Sequence, residues 1–187
     1  PELLVLNLRD NNLTSLPVDV IRLDNKIHEV DVSENSIETI DMSSVQRYFP
    51  ELLKFDVSRN QLKHFITGSP RDGSVLEIFD ASSNYLVDLS DAFVNATKLK
   101  EVNVSNNEIT DLSPDVFRDN PDLVSVDVSK NHIITINRNL FLHLMKIVEI
   151  HAGSNKMTFI HPDTFSNNPH LTELTVSWNN IEEIHPE

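Results

Sequence analysis

An asparagine returns eight times along this chain, at Asn11, Asn35, Asn60, Asn84, Asn107, Asn131, Asn155 and Asn179, with spacings of 24, 25, 24, 23, 24, 24 and 24 residues. An apolar frame travels with it, eight, five and three residues before each Asn and two and five after. In the first copy the frame is Leu3, Leu6, Leu8, Leu13 and Leu16; in the sixth it is Leu123, Val126, Val128, Ile133 and Ile136. All eight copies keep it, with Ala81 and Ala152 as its smallest members. A fixed period of this length reads as a stack of similar coils. Within one coil, an alternation such as Val30 and Val32 is a strand with every second residue inward, too short to build a core alone. Stacked coils place these strands side by side in a parallel sheet and pack their inward residues on one another. The Asn sits where the strand turns away, and its amide can both donate to and accept from backbone groups that the turn leaves unpaired. The Asn ladder is therefore expected to be structural.

The unit L-x-x-L-x-L-x-x-N-x-L resembles the leucine-rich repeat, over essentially the whole chain. The fold expected is an α/β solenoid: a curved leucine-rich-repeat horseshoe segment with a parallel concave β-sheet and a mostly irregular or short-helical convex side. Residues 1–187 form one segment of eight repeats, with starts near 3, 27, 52, 76, 99, 123, 147 and 171. In most copies an apolar residue follows five positions after the last frame residue: Ile21, Val45, Phe117, Phe141 and Phe165, with Phe93 one position early in the 23-residue copy. These side chains should fill the convex half of the core and, being bulky, curve the stack. The roughly 24-residue length with a convex Phe is similar to the typical subtype of extracellular animal proteins. Single helical turns are expected at Ser44 to Tyr48 and Asp115 to Asp119. The stretch Ile66 to Ser74, with two of the three glycines and no spine aromatic, reads as a convex loop, either an eroded repeat or a partner contact.

The chain opens on a strand at Pro1-Glu2-Leu3 and stops at Glu187 without a polar or cysteine-rich cap at either end. A solenoid exposes the core of its outermost coils unless something covers them, so an excerpt from a longer array is expected.

Outward positions of the strands can be read column by column. One pair of columns holds Leu53 and Lys54, Glu77 and Ile78, Lys100 and Glu101, Val124 and Ser125, Val148 and Glu149 in successive coils. The middle column runs Asn7, Asp31, Asp56, Asp80, Asn103, Asp127, His151, Thr175, and the last ends on Trp178. Altogether this face carries eleven acids and five bases, a net of −6 out of the chain's −14. Asp31, Asp56, Asp80 and Asp127 would stand close enough to repel or to share a cation, since neighbouring strands lie about 4.8 Å apart. Asp followed by an apolar residue and Ser is, however, the consensus of the resembled family, and Ser hydroxyls one strand over can hold the carboxylates. Leu53, Ile78, Val124 and Val148 face outward where polar residues would aid solubility, and Trp178 is the only tryptophan. They suit the apolar centre of a protein-binding surface with an acidic rim. The alternatives are scattered exposed aliphatics and a Trp178 packed on a neighbouring coil.

The excess of acids, 29 against 15 Lys plus Arg, argues against nucleic-acid or anionic-membrane surfaces, which need a basic footprint. No apolar run approaches the roughly 18 residues of a membrane span. Cysteine is absent, which removes disulfide scaffolds, thiol chemistry and Cys-ligated zinc. Eight histidines fall in different columns without ligand spacing, so no metal is expected and they read as solvated groups. No nucleophile elbow, phosphate loop or glycine fingerprint occurs, so neither catalysis nor a cofactor is expected. Sequons at Asn12, Asn95 and Asn103 match the number that 20 Asn and 28 Ser plus Thr give by chance, about three. Asn95 is expected to be the most accessible, and a glycan on Asn103 would stand on the concave sheet.

The resemblance implies non-catalytic protein recognition by an extracellular or cell-surface protein, similar to the ectodomains of Toll-like receptors or of insect-type immune and adhesion proteins. A small-proteoglycan-type matrix binder and a cytosolic scaffold are the other two readings. The expected partner is a protein of basic character, bound on the concave or lateral face, and the parent protein is expected to form homo- or heterodimers.

Overall fold

The structure is a computed structural model that describes residues 3–18, 21–66, 73–89 and 91–182. Eight three-residue strands form one parallel sheet: β1 (Val5–Asn7), β2 (Glu29–Asp31), β4 (Lys54–Asp56), β6 (Ile78–Asp80), β7 (Glu101–Asn103), β8 (Ser125–Asp127), β9 (Glu149–His151) and β10 (Glu173–Thr175). They pair in chain order, with Leu6, Val30, Phe55, Phe79, Val102, Val126, Ile150 and Leu174 aligned across the sheet. Each strand is one coil of the repeat. A strand this short leaves most of its coil as turn, and the chain rises by one strand spacing per coil.

The frame residues point inward as their period requires. Val30, Val32, Ile37, Phe55, Val57, Leu62, Phe79, Ala81, Leu86 and Val104 are wholly buried. In the first and last coils, with a neighbour on one side only, Leu6, Leu8, Leu13, Leu171, Val176 and Ile181 are half-buried, while Leu3 and Leu174 are exposed.

The Asn ladder pairs backbone across coils. Asn107 Nδ2 donates to the carbonyls of Val104 and Ser105 in its own coil and of Ala81 in the coil before, at 3.0, 3.2 and 3.0 Å. Its Oδ1 accepts from the Leu86 amide at 2.9 Å. Asn35, Asn60, Asn84, Asn131 and Asn155 repeat this set and are buried. The residue before each ladder Asn has a positive φ, between 52° and 58°, at Asp10, Glu34, Arg59, Ser83, Asn106, Lys130, Ser154 and Trp178. That left-handed residue turns the chain off the strand, at a conformational cost that none of these positions avoids with glycine.

The convex side holds more regular structure than its sequence suggests. A second parallel sheet pairs β3 (Thr39–Asp41) with β5 (His64–Ile66). Directly after β3 comes α1 (Met42–Tyr48), which begins two residues before the expected turn at Ser44 because Asp41 caps it. Asp41 Oδ1 accepts from the Ser43 amide at 2.9 Å and the Ser43 hydroxyl at 2.7 Å, and its Oδ2 from Ser44 Oγ at 2.7 Å. Burial opposes ionisation of this carboxyl, but these hydroxyl and amide donors outweigh it and hold the group below the usual carboxylate range. Asp115 to Asp119, expected as a helical turn, is a run of plain turns, whereas Pro162–Phe165 forms a 3-10 turn. The convex aromatics stack as expected: Phe93 on Phe117 at 5.8 Å and Phe141 on Phe165 at 5.7 Å, with Phe79 edge-on to Phe93 at 5.6 Å. Of the expected loop, Ile66 belongs to β5 and Gly73 has a φ of 93°, while 67–72 lie outside the described residues, as do Pro1, Glu2 and Glu187 at the chain ends.

Three residues after the convex Phe, Asn120 and Asn168 form a second, sparser ladder. Asn120 Nδ2 donates to the carbonyls of Phe93 and Ala96 in the preceding coil, and Asn168 Nδ2 to those of Phe141 and Leu144. Both are buried, and the Oδ1 of each has no partner.

Candidate recognition face

The outward positions of the eight strands make one continuous surface. On it, Leu53, Val124 and Trp178 are exposed, and Ile78 and Val148 are half-buried. The sheet brings four of them together in two pairs. Ile78 donates its amide to the Leu53 carbonyl, and Val148 donates to that of Val124, so each pair sits on adjacent coils. Between the pairs runs the ion pair Lys100–Glu77 at 2.8 Å. Trp178 stands apart in the last coil, 85% exposed, so it does not pack on a neighbouring coil of the described chain.

The middle column is in register from Asp31 through Asp56, Asp80, Asn103 and Asp127 to His151 and Thr175. Its carboxylates are held within their own coils and not by hydroxyls one strand over. Oδ1 of Asp31, Asp56, Asp80 and Asp127 accepts from the amide two residues on, in Ser33, Ser58, Ser82 and Ser129, at 2.8 to 2.9 Å. The Ser33 hydroxyl adds a bond to the same oxygen at 2.6 Å. Asn7 and Asn103 make the same turn with their amide oxygens. In these coils the Asx side chain supplies an acceptor where the strand ends and the amide two residues on has lost its ladder partner. Asp80 is distinct. Burial pushes its carboxyl above the ordinary value, against the pull of the Ser82 amide, and the Asp56 charge adds to the rise. Its second oxygen accepts from Asn103 Nδ2 at 3.1 Å.

Most bases of the face are already matched. Glu34 lies between Arg9 at 2.9 Å and Arg59 at 2.8 Å, and Glu29 pairs with Lys54 at 3.1 Å. This internal pairing was not legible column by column, because partners 25 residues apart become neighbours only once the period is stacked.

The sequons also sort themselves. Asn12 is exposed, whereas Asn95, expected to be the most accessible, is half-buried with a φ of 60°. Asn103 is half-buried and its amide nitrogen is engaged by Asp80. Of the histidines, His28 approaches Glu51 at 3.3 Å and His161 approaches Asp163 at 3.5 Å, while His151 is half-buried and His185 lies outside the described residues. Among the described residues no group of three or more His, Asp or Glu is arranged to hold a metal ion, and no helix is long and apolar enough to cross a membrane.

Family models for the leucine rich repeat match residues 74–133, 97–157 and 167–182. Similar proteins include Toll-like receptor 9 of Mus musculus, 35% identical over 107 residues, which cover 56% of this chain and 10% of that protein. Toll-like receptor 2 type-1 of Gallus gallus is 32% identical over 145 residues, or 75% of this chain and 17% of the receptor. Tsukushi of Gallus gallus is 29% identical over 113 residues, or 59% and 31%. The chain thus spans less than a third of the length of each of these relatives. Among solved structures, the TLR13–ssRNA13 complex superposes with a TM-score of 0.78 at 25% identity, covering 98% of this chain and 26% of that one. The Drosophila Toll–Spatzle complex does so with a TM-score of 0.77 at 21% identity, covering 94% and 28%. With its eightfold frame, its Asn ladder and these likenesses, the chain belongs to the leucine-rich-repeat family.

Proposed function

We propose that this segment recognises a protein ligand, without catalysis, on the concave sheet of an extracellular or cell-surface receptor related to the Toll-like receptors. One observation carries this reading: the sheet face sets two outward aliphatic pairs and a lone exposed Trp178 among carboxylates, on a backbone locked coil to coil by buried Asn side chains. A rigid surface loses little entropy on binding, so modest contacts suffice for affinity. One structural neighbour is solved with RNA and another with the protein Spatzle. The charge of −14, with −6 on this face, favours the protein kind of ligand, because nucleic acid needs bases to replace its counterions. The receptor relatives support a role in innate immunity.

The test is partner capture from extracellular fluid on the immobilised protein, followed by affinity measurement with single variants. Ile78→Ala, Val124→Ala and Trp178→Ala should each weaken binding, with melting temperature little changed. Unchanged affinity in all three would defeat the concave-face reading.

A further inference from the structure

We infer that the concave surface of the last two coils takes an extended segment of a protein partner. That segment bears a Lys or Arg side chain at one end and an apolar or aromatic side chain four or five residues along. The inference rests on the proposal that this face binds protein, and adds where on it the contact is made and with what chemistry.

Charge complementarity is the first argument. In the earlier coils three glutamates of the face have basic partners, Glu34 with Arg9 and Arg59, Glu29 with Lys54 and Glu77 with Lys100, while Glu101 stands between Ile78 and Ser125 with no second carboxylate in register. Glu149 and Glu173 are different. They face each other in register on β9 and β10, and among the described residues the one basic group within 4.0 Å of either is the His151 ring, at 4.0 Å from Glu149 and 3.8 Å from Glu173. Adjacent strands set two such carboxylates about 4.8 Å apart, a spacing that one ammonium or guanidinium can bridge.

The second argument is the break in the consensus of the same two coils. The six coils before them carry Asn or Asp in the middle column and tie it to the amide two residues on. Here the column reads His151 and Thr175, whose side chains approach each other at 3.4 Å instead. Gly153 follows where the five preceding coils have Ser, and a Cβ there would lie 3.1 Å from the Ser177 carbonyl oxygen. Without a Cβ at Gly153, the Ser177 hydroxyl and the Thr175 methyl of the last coil close over that position.

Trp178 is the third. It is 85% exposed and holds a φ of 58°, a conformation that a bulky residue adopts at a cost. Five residues separate it from Glu173, at most about 16 Å of extended chain, the reach of a five-residue segment laid along the strand. Tryptophan supplies the large, rigid contact that anchors protein interfaces, and the glutamate pair supplies orientation.

The experiment is a titration of the ¹⁵N-labelled protein, followed by amide shifts and the Trp178 indole signal, with the synthetic peptide Arg-Gly-Ser-Gly-Ser-Leu, its reversed sequence, and a control with Glu in place of Arg. One of the two basic peptides should shift 149–151 and 173–178 with a dissociation constant on the order of 1 mM. Binding should weaken at least tenfold in the Glu149→Gln/Glu173→Gln double variant. It should weaken likewise in His151→Lys, which places a cation between the carboxylates, while signals of the other coils report intact folding. Equal shifts with the acidic control, or silence of these coils with both basic peptides, would overturn the inference. Shifts confined to Leu53, Ile78 and Val124 would also overturn it yet leave the concave-face proposal standing, whereas loss of all concave-face shifts together with unchanged partner affinity in the Ala variants defeats both.

Discussion

Asn107 makes four hydrogen bonds with one amide: it shares the Ala81 carbonyl with Asn84 and the Val104 carbonyl with Asn131, and it is the one partner of the Leu86 amide among the described residues. Its replacement by Ala strands the Leu86 amide inside the stack, at about 1–3 kcal/mol, and removes three further bonds to carbonyls that keep other donors. Asn107→Ala should therefore cost roughly 2–4 kcal/mol in denaturant unfolding. Asn11→Ala should cost under about 1 kcal/mol, since Asn11 is exposed and makes only bonds that water can replace. Equal costs at the two ends of this comparison would contradict a structural ladder. The ladder was legible because every coil repeats it. Asn120 and Asn168 were not, because the same position is Ala96 and Leu144 in other coils and no period survives. The signal that could have found them is the pairing Phe117-x-x-Asn120-Pro121 with Phe165-x-x-Asn168-Pro169. Asp80 brings pH into play. Its carboxyl is raised in the folded state, so the native chain holds that proton more tightly than the unfolded one. The contribution of Asp80 is then fullest below its unfolded value and declines as pH climbs through the folded one. The difference in unfolding free energy, Asp80→Asn minus wild type, should accordingly rise between about pH 3 and pH 7. A flat difference across that range would mean that burial does not raise the Asp80 carboxyl.

The strands β1, β2, β4, β6, β7, β8, β9 and β10 lie where the apolar alternation puts them, since a residue slip would turn every frame side chain outward. The convex elements were harder to read. Thr39-Ile40-Asp41 and His64-Phe65-Ile66 each show one inward residue between two polar or exposed ones, too little alternation to call a strand before the two segments are seen side by side. The start of α1 was hidden for a similar reason: Asp41 ends a strand and caps a helix with the same side chain. Asp41→Ala should cost about 1 kcal/mol at neutral pH, the usual worth of such a cap. Because this carboxyl is depressed in the folded state, its stabilisation is present above the unfolded value and is lost as pH falls through the folded one. The penalty of the variant should thus shrink in acid. A penalty that persists unchanged below about pH 2 would assign the loss to packing and not to the charged cap.

At the scale of the whole molecule, stacking at a fixed period turns residues 23 to 25 apart in sequence into neighbours, and this is what the candidate face is made of. Columns of outward residues could be written from the sequence, which is why Leu53, Ile78, Val124, Val148 and Trp178 stand on the face as expected. Their exposure could not, because it depends on the ion pairs and Asx turns that surround them. Much of the negative charge on the face proves to be internally used, either by Arg and Lys or by backbone amides, and β9 and β10 are where two carboxylates without an Arg or Lys partner face each other in register. The chain contains no cysteine, which allows a single labelling site to be introduced anywhere. The decisive measurement attaches a polyethylene glycol chain to Glu101→Cys, exposed in the middle of the concave sheet, and separately to Asn139→Cys, exposed on the convex side, and then compares partner affinity. Recognition by the concave face predicts that the label at position 101 abolishes binding while the label at position 139 leaves it unchanged. Full binding with the sheet masked, or its loss with only the convex side masked, would contradict the account.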